Sequence, residues 1–286
     1  MKAVILAGGE GSRLRPLTIG RPKPMAPLLG KPVLGHILDL LRRHGVTQVA
    51  LTLRTLPAAI TDHFGDGAEY GVKLTYFVEQ EPLGTAGGVR QCRDFLGEED
   101  FLVLSGDGVC DLDLGAFMAL HQSRGSAASL ALCRRSEPLE YGLVRTDDAG
   151  RVLGFLEKPG WGQVDTELVN TGIYLLSRRC MEQVPAGVEY DFGRDLFPAL
   201  LQRGEVRFLL FLFVGGFLVQ GGKAVKGHGV AAGLEVVIRR ADGDRHGILL
   251  AVCHLAGHKA APDHAVELCG VAADALVHLV GRQGRH

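Results

Sequence analysis

The stretch Lys2-Ala-Val-Ile-Leu-Ala-Gly-Gly-Glu-Gly-Ser-Arg-Leu-Arg-Pro-Leu-Thr18 decides the fold. It opens with an apolar run of strand length, Lys2 to Leu6, and breaks at Gly8, Gly9 and Gly11, which are turn residues. Working outward, the same unit recurs. Gln48 to Leu53, Lys73 to Val78 and Phe101 to Leu104 are further short apolar runs. Amphipathic stretches separate them. Leu34, Ile37, Leu38 and Leu41 fall at helical spacing with Gly45 as a stop, and Val89 to Leu96 and Leu114 to His121 are further helix candidates. This alternation predicts an α/β fold with a doubly wound, mostly parallel sheet. Ligands of such sheets sit beyond the carboxyl ends of the strands, so the loops after Leu6, Val78 and Leu104 are expected to share one cleft.

The chain has 286 residues, 47% apolar and 22% charged, enough to bury a sizeable core. Its net charge of −1 argues against nucleic acid as a partner held by a basic field. Six scattered cysteines form no C-x-x-C pair, which fits a reducing cytoplasm better than a disulfide framework or a zinc cluster. No signal-peptide layout precedes Lys2, and the longest apolar run, Phe208 to Val219, is interrupted by Gly215-Gly216. It is shorter than the roughly 20 residues a bilayer span requires, so no membrane association is expected.

Composition changes near Glu205. Residues 206–286 contain no Ser, Thr, Asn, Tyr, Trp or Met, and hold seven of the eleven histidines. We expect residues 1–205 to form the functional domain. We expect 206–286 to be an anomalous tail: a shifted reading frame of a GC-rich gene, a diverged end or a poorly ordered segment. Of the tail histidines only His254 and His258 stand at i, i+4 spacing, with no useful Glu between them, so they are not expected to bind metal.

The glycine loop can turn its amides inward as a nest for phosphate, with Arg13 and Arg15 as charged donors. The other reading is a tight glycine turn with surface arginines. Lys23, bracketed by Pro22 and Pro24, is a point charge on a stiff segment. A dinucleotide fingerprint does not fit, because Leu14 stands where the third glycine belongs, and Gly30-Lys31 is followed by Pro32, so it is no Walker A loop. In Glu79-Gln-Glu-Pro-Leu-Gly-Thr-Ala-Gly-Gly88, Gln80 has the donor and acceptor that suit a base edge, and Gly84 admits a flat ring. The alternative is a polar loop with Thr85 capping a helix. Asp107 ends an apolar strand, where it is either a turn residue or a hard oxygen ligand for Mg²⁺. Glu157-Lys158 before Pro159 is a surface pair or a grip on a phosphosugar, and Asn170 binds a sugar or pins a bulge next to Gly172.

The string A-G-G-x-G-S-R-L-x-P-L-T followed by P-K-P-M resembles the signature of the nucleoside-diphosphate-sugar pyrophosphorylases, or sugar-phosphate nucleotidyltransferases. L-G-T-A-G, S-G-D, Y-G-x-V, E-K-P, N-x-G-x-Y and D-F-x-x-D-L-F-P follow in the family's order up to about Glu205. The resemblance implies a Rossmann-like sheet of nucleotide-diphospho-sugar transferase type. It implies transfer of a nucleoside monophosphate from an NTP to a sugar 1-phosphate, with release of pyrophosphate. The roles it implies are nucleotide binding for Ala7, Gly8, Gly9, Gly11, Ser12, Arg13, Gln80, Gly84 and Thr85, and catalysis for Arg13, Lys23 and Asp107. Asp107 would hold Mg²⁺, and Gly142, Glu157, Lys158 and Asn170 would take the sugar phosphate. F-L-E-K-P-x-W-G and V-N-T-G-I-Y look most like bacterial mannose-1-phosphate guanylyltransferases, which favours GTP with mannose 1-phosphate. Glucose-1-phosphate uridylyl- or thymidylyltransfer is the alternative, and a homo-oligomer is left open.

The resemblance stops short of one element. Family members continue into W-x-D-x-G, whose aspartate is a second metal ligand, and nothing after Glu205 matches it; Asp242 and Asp244 lie far along. A non-catalytic sugar-nucleotide-binding subunit, or an inactive gene product, is therefore the reading of another class.

Overall fold

The computed structural model of the protein describes residues 1–9, 11, 18–135, 138–147, 150–157, 159–203, 208–212, 234–240 and 249–255. In chain order the elements are β1 (Lys2–Leu6), β2 (Pro27–Leu28), β3 (Lys31–Pro32), α1 (Val33–Arg43), β4 (Gln48–Leu53), α2 (Pro57–Phe64), β5 (Lys73–Val78), α3 (Gly84–Gln91) and α4 (Arg93–Leu96). There follow β6 (Phe101–Ser105), α5 (Leu114–Arg124), β7 (Ala128–Arg134), β8 (Leu143–Thr146), β9 (Val152–Leu156), β10 (Leu168–Leu176), α6 (Arg178–Met181), α7 (Phe197–Arg203) and β11 (Phe208–Leu212). β12 (Leu234–Arg240) and β13 (Leu249–Leu255) pair only with each other among the described residues, antiparallel.

The main sheet runs β11-β7-β10-β6-β1-β4-β5, with β8 branching from β10 and β9 from β8. β6, β1, β4 and β5 are mutually parallel, while β10 is antiparallel to both of its neighbours β6 and β7. The expected doubly wound, mostly parallel sheet is present, and β10 and the antiparallel β8–β9 branch are the departures from it. β11 pairs with β7 in parallel, so the sheet continues past Glu205 by one strand.

Period-two alternation places helices on both faces. Ala3, Ile5, Val49, Leu51, Leu102 and Leu104 join one core with Leu34, Leu38 and Leu41 of α1, Ile60 of α2 and Phe117 of α5. Val4, Ala50 and Val103, their odd-even partners, face a second core with Val89 of α3, Leu96 of α4, Cys180 of α6 and Leu200 of α7. The strands between carry almost no polar side chains because both faces are covered. The helix expected over Val89 to Leu96 starts earlier, at Gly84, and is interrupted at Cys92. There the Cys92 amide donates to Val89 O at 3.0 Å, an i→i−3 bond that tightens the last turn. No helix among the described residues is long and apolar enough to cross a membrane.

Candidate active site

The parallel strands end level. Leu6 is in register with both Thr52 and Ser105, and Leu53 with Val78. The ladder carries on into the loops: Ala7 N donates to Thr52 O (3.0 Å), Gly106 N to Leu6 O (2.8 Å) and Glu79 N to Leu53 O (2.7 Å). Four loops thus leave the sheet along one edge and enclose a cavity of about 530 Å³. The loops after Leu6, Val78 and Leu104, expected to share a cleft, all contribute to it through Gly8, Glu79 and Asp107.

Ala7, Gly8, Gly9 and Gly11 form one wall. A Cβ on Gly9 would meet nothing within 4 Å, so this backbone faces open space and a ligand can lie against it. Gly11 has φ +64°, and its carbonyl accepts from the Thr18 hydroxyl at 2.8 Å. Ser12 and Arg13, expected at this wall, lie outside the described residues. Against Gly11, where an added Cβ would lie 3.1 Å from the Lys23 Cβ, Lys23 sits on a tight 3₁₀ turn, Lys23–Met25, with Met25 N bonded to Pro22 O at 2.9 Å. The prolines stiffen that turn as the sequence indicates.

Lys23 Nζ and Asp107 Oδ2 form an ion pair, with side chains only 14% and 20% exposed. Ser105 Oγ donates to the other carboxylate oxygen. Two residues expected to be catalytic, 84 positions apart, therefore meet in the cavity. Among the described residues no cluster of three His, Cys, Asp or Glu surrounds Asp107. As a donor set this fits Mg²⁺ in one way only: one protein carboxylate, with substrate phosphates and water completing the shell. A metal held there would compete with Lys23 for Oδ2.

Of the loop after β5, Glu79 lines the cavity, whereas Gln80 is exposed and does not. The alternation of β5 explains this: Phe77 and Glu79 share a face, and Val78 and Gln80 point away. Burial pushes the Glu79 carboxyl above the usual carboxylate range, while the Leu83 amide and Arg54 pull it partly back. A carboxyl raised by folding adds stability below its ordinary pKa and loses it as pH rises through the raised one. Glu79→Gln should therefore melt higher than the parent at about pH 7–8, with the gap closing towards about pH 4. Thermal melts across that range check it, and an unchanged gap rejects the burial argument.

Gly84 has φ +69°, and a Cβ there would stand 2.7 Å from Tyr190 O. The close approach this glycine permits is that of the chain's own backbone. Thr85 is not a cap, since the residue at the helix N-cap is Leu83 and no side chain caps it. The Thr85 hydroxyl instead donates to Asp191 Oδ2 at 2.7 Å and accepts from Phe192 N at 2.9 Å. Gly84, Thr85, Glu189 and Asp191 all line the cavity.

The sugar-phosphate candidates gather at a second point. A Cβ on Gly142 would lie 2.7 Å from Glu157 Oε2 and 3.7 Å from the Asn170 Cβ. Asn170 N donates to Gly142 O at 2.8 Å, Asn170 Nδ2 to Tyr174 OH at 2.8 Å, and Gly172 N to Asn170 Oδ1 at 3.1 Å. The register of β10 against β7 shifts between Asn170 and Ile173, and Gly172 has φ +75°, so Asn170 sits on the bulge. Lys158 lies outside the described residues.

Sequence reasoning missed Arg54, Glu79, Ser105, Glu189 and Asp191. For Glu79 the signal was present in the strand alternation. Glu189 and Asp191 arrive from more than 100 residues away in sequence; Asp191 opens the D-F-x-x-D-L-F-P landmark, but nothing in that pattern places it beside Thr85.

A protein-family model described as Nucleotidyl transferase matches residues 2–213. The chain is 40% identical over 217 residues to a UTP–glucose-1-phosphate uridylyltransferase of Synechocystis sp., covering 71% of this chain and 56% of that protein. It is 38% identical over 205 residues to a mannose-1-phosphate guanylyltransferase of Mycobacterium tuberculosis, covering 72% and 56%. The chain thus spans about half the length of these curated relatives. The crystal structure of HddC from Yersinia pseudotuberculosis complexed with GMP-PN superposes with a TM-score of 0.65 at 27% identity, covering 77% of this chain and 93% of that one.

Proposed function

The chain belongs to the nucleotidyl transferase family, and from that premise we propose that it transfers a nucleoside monophosphate from an NTP to a sugar 1-phosphate, giving an NDP-sugar and pyrophosphate. The observation that carries this reading is the meeting of Lys23 and Asp107 beside a bare glycine wall at the carboxyl ends of parallel strands. A polyphosphate needs amide donors, a cation and an anchoring carboxylate in one place, and these residue types stand together there.

The attacking group is an oxygen of the sugar 1-phosphate and the target is the α-phosphorus of the triphosphate. The nucleophile is already an anion, so no strong base is required. The difficulty lies in bringing two polyanions into line. Lys23 leaves Asp107 to neutralise the triphosphate, aided by Arg13, while Lys158 holds the attacking phosphate and Glu157 and Asn170 accept and donate to sugar hydroxyls. Bound at Asp107, Mg²⁺ would supply further charge neutralisation on the phosphate oxygens.

GTP with mannose 1-phosphate is the favoured pair. The family landmarks quoted above support it, and one relative carries that name, but another is a uridylyltransferase. We place the protein in a reducing cytoplasm, in keeping with free thiols at Cys92, Cys110, Cys133 and Cys180. Calorimetric titration of GTP, UTP, dTTP and ATP with Mg²⁺, followed by pyrophosphate release with mannose 1-phosphate or glucose 1-phosphate, tests the reading. Binding of one triphosphate is expected, weakened by roughly 1.5–3 kcal/mol in Arg13→Ala through loss of a charged hydrogen bond. No binding of any nucleotide rejects it; binding without turnover favours a non-catalytic subunit.

A further inference from the structure

The loop that opens α3 and the segment before α7 are held together by five hydrogen bonds. Tyr190 N donates to Leu83 O at 2.9 Å, and Ala86 N and Gly87 N donate to Tyr190 O at 2.9 and 3.0 Å. The other two are those of the Thr85 hydroxyl, to Asp191 Oδ2 and from Phe192 N. The two segments touch so closely that a side chain on Gly84 or Gly87 would collide with backbone, at 2.7 Å from Tyr190 O and 2.8 Å from Val188 O. Asp191 is fixed from its other side as well. Its Oδ1 accepts from Gly193 N at 2.9 Å and from Arg194 N at 3.2 Å, capping the π turn Phe192–Leu196. Its own amide donates to Asp195 Oδ2 at 2.8 Å.

This clamp joins two places that bind different things in the proposed reaction. On one side, Thr85 and Asp191 line the nucleotide cavity. On the other, two residues past Asp191, a Cβ on Gly193 would lie 3.2 Å from Glu157 Oε2, the same oxygen that packs against Gly142. The turn that Asp191 caps is therefore the wall against which the sugar-side carboxylate rests. The Thr85 hydroxyl spends its one proton and one of its lone pairs on that wall.

We propose that Thr85 and Asp191 form a positioning pair: the Thr85 hydroxyl, on the helix beside the nucleotide, fixes the Asp191-capped turn that seats Glu157 for the sugar. The proposal rests on the nucleotidyltransfer reading and assigns Thr85 to the geometry of the sugar subsite in place of direct contact with the base. Thr85→Val keeps the shape of the side chain and removes both bonds. The rotation left to the Asp191 turn then falls on the subsite two residues away, because small displacements there degrade sugar binding directly.

The test compares ligands that fill one subsite or both, and needs no turnover. Dissociation constants are measured by calorimetry for GDP and GDP-mannose, and for UDP and UDP-glucose, on the full chain. The parent is expected to bind the NDP-sugar more tightly than the NDP. In Thr85→Val the affinity for the NDP-sugar should fall about tenfold further than the affinity for the NDP. Thr85→Ser, which restores the hydroxyl, should regain the difference. Asp191→Asn, which retains the side-chain shape and weakens the acceptor, should move the same quantity in the same direction and guards against a misfolded valine variant. Equal losses for NDP and NDP-sugar in Thr85→Val, or no loss for either, overturn the positioning role. A parent chain that binds none of the four ligands fails at the earlier step and rejects the nucleotidyltransfer reading itself.

Discussion

Asp107→Ala is expected to lower pyrophosphate release by about 10²–10³-fold, the scale observed when one preorganised charge-stabilising group is removed. The carboxylate holds the Lys23 ammonium, and in the proposed reaction it would also present an oxygen to a phosphate-bound cation. Alanine abolishes both. The same variant should bind triphosphate equally with and without Mg²⁺, whereas the parent should bind it more tightly with the metal. Lys23→Met separates the two tasks. It frees Oδ2, so Mn²⁺ followed by its paramagnetic signal should bind more tightly than to the parent when no nucleotide is present. Parent-like turnover in Asp107→Ala, or parent-like metal affinity in Lys23→Met, contradicts this division of labour.

The largest loss of stability is expected from Phe197→Ala. Phe197 is fully buried, and its ring lies 5.1 Å from Phe155, 5.0 Å from Tyr174 and 5.3 Å from Phe192. The contact with Tyr174 is edge-to-face at 86° and that with Phe155 is stacked at 28°. Truncation removes three ring contacts and leaves a cavity, costing about 3–5 kcal/mol. For a domain of this size that is roughly 6–20 °C of melting temperature. The loss is not confined to folding. Tyr174 accepts from Asn170 through its hydroxyl, and Phe192 opens the turn capped by Asp191, so the aromatic group underlies the residues proposed to take the sugar. A melting temperature within a degree or two of the parent would show that the neighbouring rings close over the gap.

Much of the architecture is legible in the chain because both cores obey period two. Ala3 and Ile5 go to one face and Val4 to the other, and the loops that follow are obliged to leave the sheet on the same edge. The meeting of Lys23 with Asp107 follows from that edge. At Gln80 and Glu79 residue chemistry and strand alternation give different information: the amide suits a base edge, while alternation leaves Gln80 exposed and brings Glu79 to the cavity lining. Gly84 and Thr85 show a different limit. Their local pattern is that of a helix start, but what they meet is Tyr190 and Asp191, and pairing across such a distance is set by tertiary packing. The compositional break at Glu205 also falls short of the last strand of the main sheet, β11, whose parallel register with β7 is invisible in a run as plain as Phe-Leu-Leu-Phe-Leu.

The position of β10 has a consequence for how the chain is made. β6 and β7 are consecutive in the main part of the sheet's synthesis, yet they are not neighbours; β10 fills the slot between them and bonds to both. A chain growing from its N-terminus must therefore hold that slot open until Leu176 has emerged. Until then, two apolar strands, Phe101–Ser105 and Ala128–Arg134, each present an unpaired row of amides and carbonyls. Bare apolar edges of this kind template pairing with other chains, and long-range strand insertion is slow. A ribosome paused before Leu168 would leave both edges exposed on the nascent chain, so the yield of soluble protein should depend on elongation speed across residues 135–168 and on holdase chaperones that shield those edges.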